Sequence, residues 1–147
     1  MIDKQTFEGE AAMRLEVAAR QYISNYGIPE LDSYVIKDST DNNLKAKEVL
    51  LCMIEDRNAD KSIEEIAAKF HLSLVNWIAD VALSEKCESI AFSGGVFQNA
   101  VLIDLIHQRL TAGFKLYFHK DLSPNDENIS FGQFIYFKMT QKLAEKN

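Results

Sequence analysis

Histidine is scarce in this chain. His71, His107 and His119 are too far apart for an HxxxH or HxH pair, so no metal site can be assembled from local spacing. Cysteine is scarcer. Cys52 and Cys87 lie in separate apolar segments with no CxxC spacing, and read as buried, reduced thiols rather than as a disulfide or a zinc site. There is no basic surplus: 16 Lys and Arg against 22 Asp and Glu leave a formal net charge of -6. That argues against general affinity for a nucleic-acid backbone, though a local nucleotide site can differ from the global sign. No stretch approaches the roughly 20 apolar residues a membrane helix needs. The N-terminal MIDKQTFEGE has no signal-like apolar core. The expectation is a cytoplasmic protein with neither membrane nor nucleic acid as partner. Walker sequence, G-x-S-x-G elbow, evident catalytic triad, internal repeat and low-complexity tract are all missing.

What is present suits one domain, residues 1–147, with an ordinary core: 147 residues, 47% hydrophobic and 26% charged. Phe7 to Tyr26 is rich in helix formers and stops where Gly27 and Pro29 punctuate. Ser33 to Asp38 is a short strand candidate, and Leu44 to Glu55 a second helix. Ser62 and Glu65 have capping-box spacing. Ile63, Ile66, Ala67, Phe70, Leu74, Trp77, Ile78 and Val81 then recur on one helical stripe. Ser89 to Ser93 reads as a strand, Val96 to Thr111 as a helix closed by Gly113, Lys115 to His119 as a strand, and Ile129 to Leu143 as the last helix. Strands joined through helices imply parallel pairing. The fold class is therefore α/β, with more helix than strand. The acidic residues of the first two helices read as solvated faces.

Of only six glycines, two are adjacent. Gly94 and Gly95 fall between a strand and a helix in "FSGGVFQN". In α/β sheets, ligands bind beyond the carboxyl ends of strands. A backbone without Cβ atoms can turn sharply there and approach a ligand closely. Amides at the following helix start can hold an anion, with Gln98 and Asn99 adding hydrogen bonds. Equally, the pair need do no more than permit a tight turn. After the next strand, "LSPNDEN" brings Asp126 and Glu127 to the same sheet edge if the two strands are neighbours. A carboxylate beside a phosphate cradle is a place for a divalent cation; alternatively, Asn125 or Asp126 simply caps the last helix. His71, beside Phe70 and Leu74, reads as a satisfied side chain rather than a ligand.

In order along the chain, "FEGEAAMRLE" (Phe7 to Glu16), "IAAKFHLSL" (Ile66 to Leu74), "FSGGVFQN" (Phe92 to Asn99) and "SPNDENISFGQ" (Ser123 to Gln133) closely resemble the C-terminal carbamoyltransferase domain of the HypF family. The likeness spans Phe7 to about Met139. It implies one lobe, the second, of an actin, sugar-kinase and Hsp70-like (ribonuclease H-like) fold, helix-rich with a small, mainly parallel sheet. It also implies that Gly94, Gly95 and Asn99 contact ATP or carbamoyl adenylate, that Gly9 lies by the ribose, and that Asp126 is one ligand of a divalent metal. The implied activity is carbamoyl transfer to a protein thiol, a cysteine of the partner HypE, in nickel-iron hydrogenase maturation.

The sequence departs from that pattern in several places. The first lobe with its HxxxH metal pair does not occur in it, and the glycines that follow PND in the family are Glu127 and Asn128. Ala100 and Leu72 stand where the family often has a basic residue and an asparagine. The expectation is thus of a lobe incomplete for turnover on its own, its remaining site coming from a first lobe or a hydrogenase-maturation protein. The alternative is a catalytically inactive lobe serving as a nucleotide- or protein-binding module. The face that meets the other lobe would be apolar and would invite a partner or a homodimer.

Overall fold

The structure is a computed structural model that describes residues 4–28, 33–34 and 45–144. Five α-helices run in the order α1 (Glu10–Tyr26), α2 (Ala46–Asn58), α3 (Ile63–Ser84), α4 (Ala100–Leu110) and α5 (Ile129–Ala144). Strand β1 (Ser89–Ala91) lies between α3 and α4, and β2 (Lys115–Tyr117) follows α4. The strands pair in parallel, Ser89 with Lys115, Ile90 with Leu116 and Ala91 with Tyr117. The chain is therefore the helix-rich α/β lobe expected, with a small parallel sheet. Of the strand expected over Ser33 to Asp38, only Ser33 and Tyr34 are among the described residues, and they are not in a strand; Pro29 also lies outside them.

Helix α3 organises the core. Ser62, in extended backbone, accepts the Glu65 amide on its hydroxyl at 3.0 Å, which satisfies one of the donors a helix start leaves open. The Glu65 carboxylate reaches Lys61 Nζ at 3.2 Å, so only the serine half of the capping box is seen. One flank of α3, through Ala67, Ala68, Leu72 and Val75, packs with Ala19 of α1 and with Leu102, Leu105 and Ile106 of α4. The other flank presents Phe70 and Trp77 to Tyr34, Val49, Cys52 and Met53. The single stripe read from the sequence is thus too narrow. Leu72 and Val75 lie off it and are core, while Ile63 is 38% exposed. A helix covered on two sides cannot show its whole buried surface as one periodic face. Burial of side chains such as Leu72, Leu105 and Ile106 contributes about 1.5–3 kcal/mol each. Contrary to the expectation that no stretch approaches a membrane helix, α3 is long and apolar enough to cross one by length and composition, but half of it is buried inside the protein.

A polar brace ties α2 and α3 to the Ser33–Tyr34 segment. Asp56 Oδ2 accepts from the Tyr34 hydroxyl at 2.9 Å and from Lys69 Nζ at 2.7 Å. Lys69 also lies 4.5 Å above the Tyr34 ring. Ser73 Oγ accepts the Tyr34 amide at 2.7 Å and donates to the Lys69 carbonyl at 2.7 Å. Burial pushes the Asp56 carboxyl up, but hydrogen bonds from Lys69 and Tyr34, with Lys61 nearby, outweigh it and hold the group below the usual range. Burial, then the Asp56 charge, pushes the Tyr34 hydroxyl far up. Both cysteines are free, but Cys87 is exposed and Cys52 half-buried, not buried as their apolar neighbours suggested. Glu10 is buried, too, rather than on a solvated face.

Replacing Asp56 would strand the buried Lys69 ammonium. Asp56→Ala is expected to lower unfolding stability in urea by about 2–4 kcal/mol. Asp56→Asn, which keeps an acceptor, should lose less.

Candidate functional site

The parallel pairing continues past the strands and draws two loops together. The Phe92 amide donates to the Tyr117 carbonyl at 2.9 Å, and the Gly94 amide donates to the Pro124 carbonyl at 2.7 Å. Gln98 Nε2 donates to Ser123 Oγ at 3.2 Å, and Ser93 Oγ and His119 Nε2 are hydrogen-bonded at 3.1 Å. The glycine turn and the Ser123–Asn128 loop are thus bonded at the carboxyl edge of the sheet. Phe92, buried beneath the turn, stacks on Phe118 at 4.8 Å and meets Phe97 edge-on at 5.1 Å. A shallow cavity of about 190 Å³ opens at this edge, lined by Ala91, Phe92, Ser93, Tyr117, Phe118 and His119.

The two glycines do different things. Gly94 has φ 107°, which side chains of L residues rarely adopt. Its amide is engaged by Pro124, so it makes the turn and locks the loops. Gly95 is not in that region, and a Cβ there would meet nothing within 4 Å. Internal packing therefore does not require a glycine at Gly95; its open side is available for close approach from outside.

Helix α4 does not begin at Val96, as its composition suggested. Gly95–Gln98 is a 3-10 turn, and Asn99 is the N-cap of α4. Asn99 Oδ1 accepts the Leu102 amide at 2.9 Å, and its Nδ2 donates to His71 Nε2 at 2.9 Å. His71 Nδ1 lies 2.8 Å from the Ala67 carbonyl, which can only accept. The proton is therefore on Nδ1, and Nε2 is the acceptor. Burial pushes the His71 pKa down, opposed by the Ala67 carbonyl and the Glu16 charge. Glu16 Oε1, from α1, accepts the Ala100 amide at 3.1 Å and pairs with Arg20 at 2.7 Å. The Ala100 and Leu102 amides at the start of α4 are thus already satisfied by the protein's own side chains. At the other end the C-cap is Thr111, not the expected Gly113; Gly113 lacks left-handed backbone and follows in a turn, its amide reaching the Leu110 carbonyl at 3.1 Å.

Gly9 is exposed, with φ 81°, and precedes α1. Behind it, Glu10 accepts from the Thr6 amide at 2.6 Å, the Thr6 hydroxyl at 2.7 Å and Arg14 at 2.6 Å. The Thr6 bonds, chiefly from its amide, hold the Glu10 carboxyl below its ordinary range. Gly9 and Glu16 are seven positions apart, so Gly9 lies roughly 10 Å along the helix axis from the α1–α4 contact. Asp126 is exposed and opens a 3-10 turn, in which Asn125 Oδ1 accepts the Glu127 amide at 3.2 Å and Asn128 Nδ2 donates to the Ser123 carbonyl. Of the residues singled out in the sequence, Gly94, Gly95 and Asn99 share one turn, which is bonded to Ser123 and Pro124, the residues that lead into the Asp126 turn. Among the described residues, no three His, Cys, Asp or Glu side chains gather to hold a metal, so Asp126 belongs to no complete ligand set there. Sequence reasoning missed Glu16, Ser123 and His119 as participants. Their contacts span 84, 25 and 26 positions, and no local spacing signals them.

Residues 1–133 match the family described as carbamoyltransferase, Kae1-like domain, second subdomain, and the chain belongs to that family. It is 34% identical over 137 residues to carbamoyltransferase HypF of Synechocystis sp., covering 92% of this chain and 17% of the relative. It is 29% identical over 136 residues to a carbamoyltransferase HypF homolog of Cupriavidus necator, covering 88% and 34%. The chain therefore spans between about a sixth and a third of these curated relatives. A full-length HypF, solved in a phosphate- and nucleotide-bound form, superposes with a TM-score of 0.75 at 27% identity, over 90% of this chain and 21% of that one. HypF of T. kodakarensis, at 20% identity and TM-score 0.74, shares the fold.

Two outcomes follow from the turn and the cap. Gly94→Ala should cost about 1–2 kcal/mol in urea unfolding because of its positive φ, and Gly95→Ala close to nothing. Unfolded histidine binds a proton more readily than folded His71, so His71 stabilises the protein above its unfolded pKa of about 6.5. That contribution is lost as pH falls from there through the lower folded value. His71→Gln should flatten this part of the stability profile, measured between pH 7.5 and 5.

Proposed function

We propose that this chain is the second lobe of a HypF-like carbamoyltransferase, binding ATP or carbamoyl adenylate for carbamoyl transfer to a protein thiol in nickel-iron hydrogenase maturation. The reading rests on family membership and on one observation above the others: the Gly94–Gly95 turn, bonded to the Pro124 loop at the carboxyl edge of parallel strands, leaves Gly95 open to solvent. The phosphate- and nucleotide-bound state of a related HypF supports a nucleotide as the ligand. Backbone at Gly95 is the side from which phosphate oxygens approach. Asn99, whose Oδ1 caps α4 and whose Nδ2 bonds His71, fixes the end of that turn and keeps a second amide proton for the nucleotide. Gly9, at the start of α1, is assigned to the ribose side.

A divalent metal, when bound, would neutralise phosphate charge and stabilise charge building on the transferring group. Asp126 would be one of its ligands; the described residues supply no complete set, so no step is assigned to metal held by this chain alone. The lobe is accordingly proposed as incomplete for turnover, its remaining groups coming from a first lobe. We infer a cytoplasmic setting. The engaged amides at the start of α4 favour a second reading, a lobe that binds nucleotide or protein without catalysing.

Calorimetric titration with ATP and magnesium separates these outcomes. Binding that Gly95→Val and Asp126→Ala each weaken about tenfold or more, while the folded state survives, is the expected result; no binding at millimolar nucleotide would overturn the nucleotide assignment. The chain alone is expected to give no carbamoyl transfer from carbamoyl phosphate and ATP, and robust turnover would refute its incompleteness.

A further inference from the structure

A buried histidine stands directly behind the glycine turn. His71, on α3, is 2% exposed. Its Nδ1 proton goes to the Ala67 carbonyl at 2.8 Å, and the Phe70 ring meets it edge-on at 5.8 Å. These two contacts hold the imidazole in one plane and one tautomer. Its Nε2 lone pair then has a set position, and Asn99 Nδ2 donates to it at 2.9 Å. On its other side Asn99 Oδ1 accepts the Leu102 amide at 2.9 Å. Each partner of the Asn99 amide has a single role. The Leu102 N–H can only donate, and Nε2 in this tautomer can only accept.

The consequence is directional. The outer torsion of an asparagine is broad and soft, so an amide anchored by its oxygen alone turns about that bond. A second anchor, on the nitrogen, removes this freedom and sets the amide plane. It uses one of the two Nδ2 protons and gives the other a defined direction. The opposite tautomer would do the reverse. Nε2–H would face Nδ2–H, donor against donor, and turning the amide over would set its nitrogen against the Leu102 amide, another donor. The Ala67 carbonyl holds the ring out of that tautomer. Capping α4 requires none of this, because an oxygen alone satisfies the Leu102 amide and a serine would supply one. What His71 governs is the nitrogen, whose remaining proton is a donor at the end of the Gly95–Gln98 turn.

We propose that His71 is a positioning residue for nucleotide binding: it touches no ligand, and it aims the second Nδ2 proton of Asn99 at an acceptor oxygen of the nucleotide. This inference rests on the nucleotide reading of the glycine turn.

Calorimetric titration with ATP and magnesium on paired variants separates the acceptor from the packing. His71→Phe keeps an aromatic ring and removes the acceptor. His71→Gln gives up the ring and returns an acceptor oxygen. His71→Phe should weaken ATP binding about tenfold, as loss of one hydrogen bond to a charged group does, and His71→Gln should stay within about threefold of the parent. If His71→Phe binds as the parent does, or His71→Gln loses as much as His71→Phe, the histidine acts by packing and the inference fails. Asn99→Ser keeps a capping oxygen and removes both amide protons. It should lose as much affinity as His71→Phe, and the double variant no more than either, because both remove the same contact. Loss in Asn99→Ser without loss in His71→Phe overturns the inference and leaves the nucleotide reading standing. Parent-like binding by Asn99→Ser removes the Asn99 contact, and no binding by the parent removes the whole reading; either takes the inference with it. Nitrogen NMR of the His71 ring in the parent, near neutral pH, is a check that needs no variant to fold. A proton on Nδ1 and none on Nε2 is expected, and the opposite tautomer overturns the inference.

Discussion

Parallel pairing between β1 and β2 is the constraint on which the rest turns. Two adjacent parallel strands cannot be joined by a hairpin; the chain must cross over and return, and here α4 makes the crossing. Because both strands point the same way, the loops that leave them emerge at one edge. Three paired positions are a small sheet, yet the ladder is prolonged by the Phe92 amide and then by the Gly94 amide, which reaches out of the sheet to Pro124. That last bond joins the two loops at the sheet edge into one candidate site. Without it the glycine turn and the Asp126 turn would be two separate loops.

Helix α3 carries the other half of the architecture. It belongs to two hydrophobic clusters at once, and through His71 it also reaches the cap of α4. Most of its polar contacts with neighbours are buried and specific. Asp56, Lys69, Tyr34 and Ser73 satisfy one another on one flank, and Ala67, His71 and Asn99 form a chain on the other. Such fully satisfied networks fix the relative placement of helices more sharply than apolar packing alone. The open backbone at Gly95 therefore stands on a rigid base rather than on a free loop.

Much of this was legible in the sequence where the signal is local. The capping serine of α3, the two strands, their parallel relation and the special position of Gly94 and Gly95 all announce themselves within a few residues. The places where sequence reasoning fell short share a cause. The start of α4 was displaced because Gly95–Gln98 can satisfy a helical pattern without being α-helix; the 3-10 turn is decided by the Asn99 cap and by Gly94. The burial of Glu10 depends on Thr6 and Arg14 closing over it, and helical periodicity alone assigns a glutamate to the surface. Glu16 looked like one more solvated carboxylate, and only the tertiary approach of α1 to α4 makes it the acceptor for Ala100. The exposure of α5 is the reverse case. Its apolar side chains are not enclosed by the described residues, and no local signal in the sequence says whether such a helix is covered.

The lengths of chain that each contact closes also order how the lobe assembles. The β1–β2 pairing joins positions 26 apart, whereas the Glu16–Ala100 bond joins positions 84 apart. Closing the longer loop from an open chain costs about 1 kcal/mol more in entropy. The α3–β1–α4–β2 unit is thus the cheaper nucleus, and α1 is added to a surface that already exists. That difference bears on the Glu16–Ala100 closure alone, because α1 is packed most extensively on α3. In amide exchange, the first turn of α4 would open at lower free energy than the α1–α3 pair.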